Sequence, residues 1–137
     1  MSKKMVMRYF SPAENSNEGW EKYSLPIGNG YFGASVFGGY DTERVQFTTN
    51  TFANPYNLGG VTNFGEFLLK FDSQDVTDYE RGLLLDSGVV YSRYTASGIK
   101  IERQSFVSYP DKVFVYRIDT QNGSVDFDVE LVIPYLG

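Results

Sequence analysis

Apolar and polar side chains alternate along most of this chain. In residues 124–131, Val125, Phe127, Val129 and Leu131 alternate with Asp126, Asp128 and Glu130, the pattern of a strand that turns one face to a core and the other to water. Val45, Phe47 and Thr49 alternate in the same way with Arg44, Gln46 and Thr48, and Ile99, Ile101 and Arg103 with Lys100, Glu102 and Gln104. Each run predicts a half-buried strand. Residues 113–118, VFVYRI, are apolar on nearly both faces, which predicts a central strand covered on two sides. No window longer than a few residues sustains the i, i+3, i+4, i+7 stripe of an amphipathic helix.

Turn chemistry separates these runs at short intervals. Asp86-Ser87-Gly88, Ser97-Gly98, Pro110-Asp111 and Asn122-Gly123 each supply a positive or a preset φ for a chain reversal, and Asn122-Gly123 gives the strongest hairpin signal. Eight or nine short strands at this spacing predict an all-β chain, an antiparallel sandwich or barrel. No internal repeat, low-complexity tract or linker interrupts it. The exception is residues 50–65, NTFANPYNLGGVTNFG. A loop of that length inside a compact domain is either a packed connection between sheets or a functional loop, and both readings stand.

Residues 25–33, LPIGNGYFG, place Gly28, Gly30 and Gly33 in G-x-G-x-x-G spacing. A dinucleotide site needs a buried strand before this loop and a helix after it. Pro26 removes a ladder donor from the preceding segment, and Gly38-Gly39 would stop any helix within two turns of Gly33. The three glycines instead predict a tight entry into a β-strand, where positive φ and close backbone approach are required.

Composition narrows the chemistry further. At 137 residues the chain suits one domain or part of one, and 42% hydrophobic with 17% aromatic residues is enough to fold. A net charge of -5 without a basic stripe disfavours a nucleic-acid partner, and none is expected. The absence of Cys and His excludes disulfides, thiolate nucleophiles, a Ser-His-Asp triad and imidazole metal sites. No cofactor is expected. The start, MSKKMVMRYF, is too weakly apolar for a signal peptide, and no apolar run reaches the roughly 20 residues of a membrane span; a soluble, cytoplasmic product without membrane contact is expected.

The carboxylates give no hydrolytic pair. Asp78 and Glu80 sit two apart in a predicted strand and read as a solvated strand edge, as does the Asp72 and Asp75 pair, whereas a glycosidic pair must face one sugar from opposite sides. Residues 119–126 offer oxygen ligands, but Gly123 is out of register for a calcium loop and no Glu closes it. No metal site is expected there.

Beyond the glycines the resemblance becomes specific. Trp20 and Glu21, LPIGNGYFGASVFGG at residues 25–39 and ERVQFTTNTF at residues 43–52 resemble the opening of the family-95 glycoside hydrolases, the inverting α-L-fucosidases and their relatives. There a W-x-E-A-L-P-I-G-N-G-R-L-G-A-M-V-F-G-G-like block leads into an E-R-I-Q-L-N-E-D-T-L-W-like strand. Tyr79-Glu80-Arg81, residues 83–86, Val89-Val90-Tyr91, Gly98, Arg103, Phe106 and SYPDKVFVYRI at residues 108–118 follow in the family's order, so the resemblance covers roughly residues 20–118. The chain departs from it at Tyr31, where the family has Arg, and at Phe52-Ala53-Asn54, in place of Trp-Ser-Gly.

The resemblance implies an antiparallel β-sandwich of super-sandwich type, the first part of an N-terminal domain and therefore incomplete. In the family a helical linker, an (α/α)6 barrel and a small C-terminal β-domain follow. Catalysis belongs to the barrel, where a Glu acts as general acid and an Asp with Asn partners activates water. No catalytic residue carries over to this chain, which is expected to be inactive alone. Oligosaccharide contact, fucosylated or related, is expected at Asn50, Phe52, Asn54 and Tyr56. Trp20, Tyr31, Phe52 and Tyr56 serve either as sugar-stacking faces or as packing surface.

Three roles follow: a non-catalytic buttress for the missing barrel, a stand-alone carbohydrate-binding module using residues 50–65, and a β-sandwich interaction domain that recruits another chain by strand addition. The apolar end, VIPYLG at residues 132–137, predicts a truncated half-sandwich that self-associates through uncovered faces and edges.

Overall fold

The computed structural model describes residues 4–53 and 61–133. Ten strands fall within them: β1 (Val6–Tyr9), β2 (Leu25–Gly28), β3 (Phe32–Val36), β4 (Thr42–Ala53), β5 (Val61–Phe71), β6 (Val76–Leu84), β7 (Val89–Ala96), β8 (Ile99–Val107), β9 (Phe114–Gln121) and β10 (Phe127–Val132). They form two five-stranded antiparallel sheets, β1-β6-β7-β8-β9 and β10-β5-β4-β3-β2. The fold is an antiparallel β-sandwich. A single π-helical turn, Gly19–Tyr23, precedes β2, and no helix among the described residues is long and apolar enough to cross a membrane.

The alternation places the core between the sheets. Leu25, Ile27, Ala34, Val36, Val45, Phe67, Leu69 and Phe71 point inward from the second sheet and meet Leu83 and Val90 of the first, while β2 lies across β7 and β8 and β3 across β8. Phe47 and Phe67 pack against Phe114 and Tyr116 of β9 at ring separations of 5.1 to 5.8 Å. Aromatic edges and faces therefore fill the space between the two sheets here.

Three sequence expectations change. Asn122-Gly123 is a turn, with φ of 67° at Asn122, but not a hairpin: it carries the chain from β9 in the first sheet to β10 in the second. The VFVYRI run becomes the edge strand β9, paired among the described residues with β8 alone. The long irregular segment shrinks, because β4 runs to Ala53 and β5 begins at Val61. In each case a local signal was correct about backbone direction or polarity, and sheet pairing was decided by distant strands.

The core also holds charge. Glu43, Arg81 and Arg103 are each 1% exposed, and their partners come largely from backbone. Arg103 Nε donates to Ser92 Oγ at 3.0 Å and Nη1 to the Gly39 carbonyl at 2.9 Å, with Nη2 3.8 Å from Glu43 Oε2. Glu43 accepts from the Gly38 N–H at 2.7 Å, the Arg44 N–H at 3.1 Å and the Tyr116 hydroxyl at 2.9 Å. Burial pushes the Glu43 carboxyl above its ordinary range, opposed by Arg103 and these donors. Such a cluster is tolerated only when its members are paired and hydrogen-bonded.

Gly38 makes the arrangement possible. Its φ is +79°, and a Cβ there would lie 2.6 Å from Arg81 Cδ and 2.7 Å from the Tyr79 hydroxyl. Arg81 in turn donates to the Ser11 and Tyr23 carbonyls, both at 2.7 Å. The buried guanidinium thereby fastens the N-terminal segment, including the π-helical turn, over the sandwich.

Candidate functional site

The outward-facing positions of the second sheet form a polar floor. Ser35, Arg44, Gln46 and Glu66 share this face, because Ser35 pairs with Gln46 and Gln46 with Glu66 in adjacent strands, while Val36, Val45 and Phe67 between them point inward. Side-chain alternation in a strand makes this division unavoidable.

Glu66 organises the floor. Arg44 clamps it with Nε to Oε2 at 2.7 Å and Nη2 to Oε1 at 2.9 Å, the two-pronged geometry that favours Arg over Lys. Gln46 Nε2 and Asn63 Nδ2 each donate to Oε1 at 2.8 Å. The Arg44 hydrogen bond, aided by Gln46 and Asn63 and opposed by partial burial, holds the Glu66 carboxyl below its usual range. A carboxylate kept ionised and crowded with donors cannot serve as a general acid. Its role is to fix Arg44, Gln46 and Asn63 in place.

The π-helical turn supplies a wall. Gly19 N–H donates to Ser16 Oγ at 3.0 Å, and Ser24 N–H donates to the Gly19 carbonyl at 2.8 Å. A Cβ at Gly19 would lie 1.9 Å from the Glu14 carbonyl oxygen, so the turn closes this tightly only with glycine. It presents Trp20, 49% exposed, beside Ser16 and Asn17. Arg44 Nη1 also reaches Asn15 Oδ1. Between turn and floor lies a groove of about 600 Å³, lined by Trp20, Ser35, Arg44, Gln46, Phe47, Thr48 and Asn63 among others.

The glycine loop continues this groove at its far end. Gly28 pairs with Gly33 across a hairpin between β2 and β3, and Pro26 lies on the edge strand β2, where its missing donor costs no ladder bond. Asn29 Oδ1 accepts from the Tyr31 and Phe32 N–H groups at 2.8 and 3.0 Å, while its Nδ2 donates 2.8 Å to the Ser108 carbonyl of the first sheet's β8–β9 turn. A shallower depression of about 260 Å³, lined by Gly30, Tyr31, Thr48, Thr49 and Asn50 among others, shares Thr48 with the larger groove.

Of the four expected contact residues, Asn50 lies in this depression, its N–H donating to the Tyr31 carbonyl at 3.3 Å. Phe52 falls on the backbone of β4, and Asn54 and Tyr56 lie outside the described residues. Arg44, Gln46, Asn63 and Glu66 were not singled out from sequence. The polar side of the β4 alternation was the available signal for the first two. Asn63 and Glu66 were hidden because Asn63 falls in the segment read as irregular, with Glu66 immediately beyond it.

The carboxylate pairs are dispersed. A bulge between Thr77 and Glu80, with Asp78 at φ 55°, breaks the two-residue register that would have put Asp78 and Glu80 side by side. Glu80 instead accepts from the Tyr91 hydroxyl at 2.7 Å and Arg93 at 2.8 Å. Among the described residues no cluster of His, Cys, Asp or Glu could hold a metal ion.

Comparison with known proteins gives a family match and a distant relative. The family model described as "Glycosyl hydrolase family 65, N-terminal domain" matches residues 7–53 and 48–134. The chain is also similar to the "Probable alpha-fucosidase A" of Aspergillus niger (strain ATCC MYA-4892 / CBS 513.88 / FGSC A1513), 28% identical over 143 aligned positions that cover 72% of this chain. It spans only 18% of that protein's length. With the sandwich, the ordered glycine motifs and a match along most of its residues, the chain belongs to the glycosyl hydrolase family 65 N-terminal domains.

Proposed function

We propose that this chain is the non-catalytic N-terminal portion of a glycoside hydrolase of family-95 type, which hydrolyses α-L-fucosides or related α-L-galactosides with inversion in an (α/α)6 barrel outside residues 1–137. One observation carries the reading: the chain aligns with 18% of an α-fucosidase, while its own carboxylates are locked in ion pairs or hydrogen bonds or lie apart on the surface. The sandwich buttresses the barrel, and the glycine hairpin with Asn50 extends towards the substrate cleft.

The part of the sandwich left uncovered among the described residues would be the seat for that continuation. Phe127, Val129 and Leu131 pair across from Phe71, Leu69 and Phe67 and so share the inward face, yet they are 43%, 60% and 78% exposed. Strand β9 offers an edge beside them. Further strands of the same polypeptide would cover this face and extend the first sheet.

The purified chain is expected to release no nitrophenol from nitrophenyl α-L-fucoside. Turnover that survives purification and disappears on neutralising one carboxylate of this chain would overturn the proposal. An open reading frame that continues past residue 137 into an (α/α)6 barrel is the matching genetic observation, and a frame that continues into an unrelated fold would refute the assignment.

A further inference from the structure

The groove beneath Trp20 has the chemistry of a binding site in its own right. Its volume, about 600 Å³, lies within the roughly 300 to 1,000 Å³ usual for small-molecule sites. One aromatic side chain stands over a floor that mixes donors and acceptors, the arrangement that matches a pyranose with an apolar face and hydroxyls around its rim.

The floor is preset. Arg44, Gln46 and Asn63 are all tethered to Glu66, so little side-chain entropy remains to be lost on binding. These bonds engage the Gln46 amide nitrogen and leave its carbonyl oxygen without a donor among the described residues. The Trp20 indole N–H likewise has no partner among them. Arg44 and Glu66 cancel one another's charge, which disfavours strongly ionic ligands and leaves hydrogen bonding and stacking as the means of recognition.

We infer that the groove between Trp20 and the Arg44-Gln46-Asn63 floor binds a neutral oligosaccharide. The choice of a saccharide rests on the glycosidase reading; the position and neutrality rest on the groove itself. The ligand lies along the outer face of the second sheet, with one ring against Trp20 and the next extending past Thr48 towards Tyr31 and Asn50.

Trp20 is the chain's sole tryptophan, so emission excited at the indole band reads this groove directly. Titration with lactose and with a fucosylated lactose trisaccharide is expected to give a saturable change, matched by saturable heat in calorimetry. Gln46→Ala should weaken binding about three- to tenfold, the loss of one hydrogen bond, with an unchanged circular dichroism spectrum. Trp20→Leu should abolish the calorimetric signal.

Absence of saturation with both sugars at tens of millimolar would overturn the inference. Saturable heat that persists undiminished in both variants would do so too. Either result leaves the role beside a barrel standing, since that role is judged by activity and reading frame. Binding that holds while the continuation proves unrelated would make the chain a stand-alone carbohydrate-binding module.

Discussion

The two ends of the sandwich use the same alternation and reach opposite outcomes. Where β2 and β3 cross β7 and β8, Leu25 is fully buried, Val36 is 2% exposed and Val90 is 3% exposed. Along β10, side chains of the same kind and on the same inward face remain open, Leu131 at 78%. Period-2 patterning sets which face of a strand is apolar, whereas burial depends on a second layer being present to meet it. The closed end can therefore carry a buried Glu43–Arg103 pair, and the open end offers its apolar face to whatever arrives.

The sharpest way to break this contrast is to remove charge from the closed end. Arg103→Met leaves Glu43 buried without its cation and should cost about 3–5 kcal/mol, read from the midpoint of urea unfolding. A loss below about 1 kcal/mol would mean that water reaches the cluster and that the closed end is not sealed.

A second test sets Glu43 against Glu66 across the inner and outer faces of the same sheet. Glu66 has a depressed folded pKa, so its stabilisation is fully present above the ordinary carboxylate value of 4.5 and fades as pH falls through the depressed one. Glu43 is raised, so stability falls as pH climbs from 4.5 to the raised value. Glu66→Gln should accordingly flatten the loss of stability on acidification below pH 4.5, followed by denaturant midpoints across the acid range. An unchanged slope would contradict the network drawn around Arg44.

The smallest effect on folding belongs to the open end. Leu131→Ser removes apolar surface that is already wet, and should change stability by no more than about 0.5 kcal/mol. Its consequence lies in association: the chain should self-associate at tens of micromolar by light scattering, and this variant less so. A clean monomer of the unaltered chain would contradict exposed apolar surface as a driver of contact.

Much of the architecture was legible before the structure. The alternation in β4 and β8, the turns at Gly88 and Gly98, and the rejection of a phosphate loop at Gly28 to Gly33 all rested on local stereochemistry, which a sequence states directly. Asn122-Gly123 misled because a reversal signal does not say which sheet receives the next strand. Glu43 was not recognised as the partner of Arg103, since 60 positions separate them and only the packing of the two sheets joins them. The groove was half legible: Arg44 and Gln46 stood on the polar side of a recognised strand, but Trp20 reaches them through Arg81, whose grip on the Tyr23 carbonyl has no sequence signature.

Strand order also carries a kinetic consequence. Strands β2 to β5 form one meander and β6 to β9 another, each built from neighbouring hairpins, whereas β1 must find β6 and β10 must find β5 across long stretches of chain. Loop-closure entropy makes such distant pairings slow relative to hairpins. The meanders are thus the early-folding units, and the outermost strand on one side of each sheet is added last. The open apolar face lies along one of these late strands, so the last piece to settle is also the one whose apolar side chains stay in water.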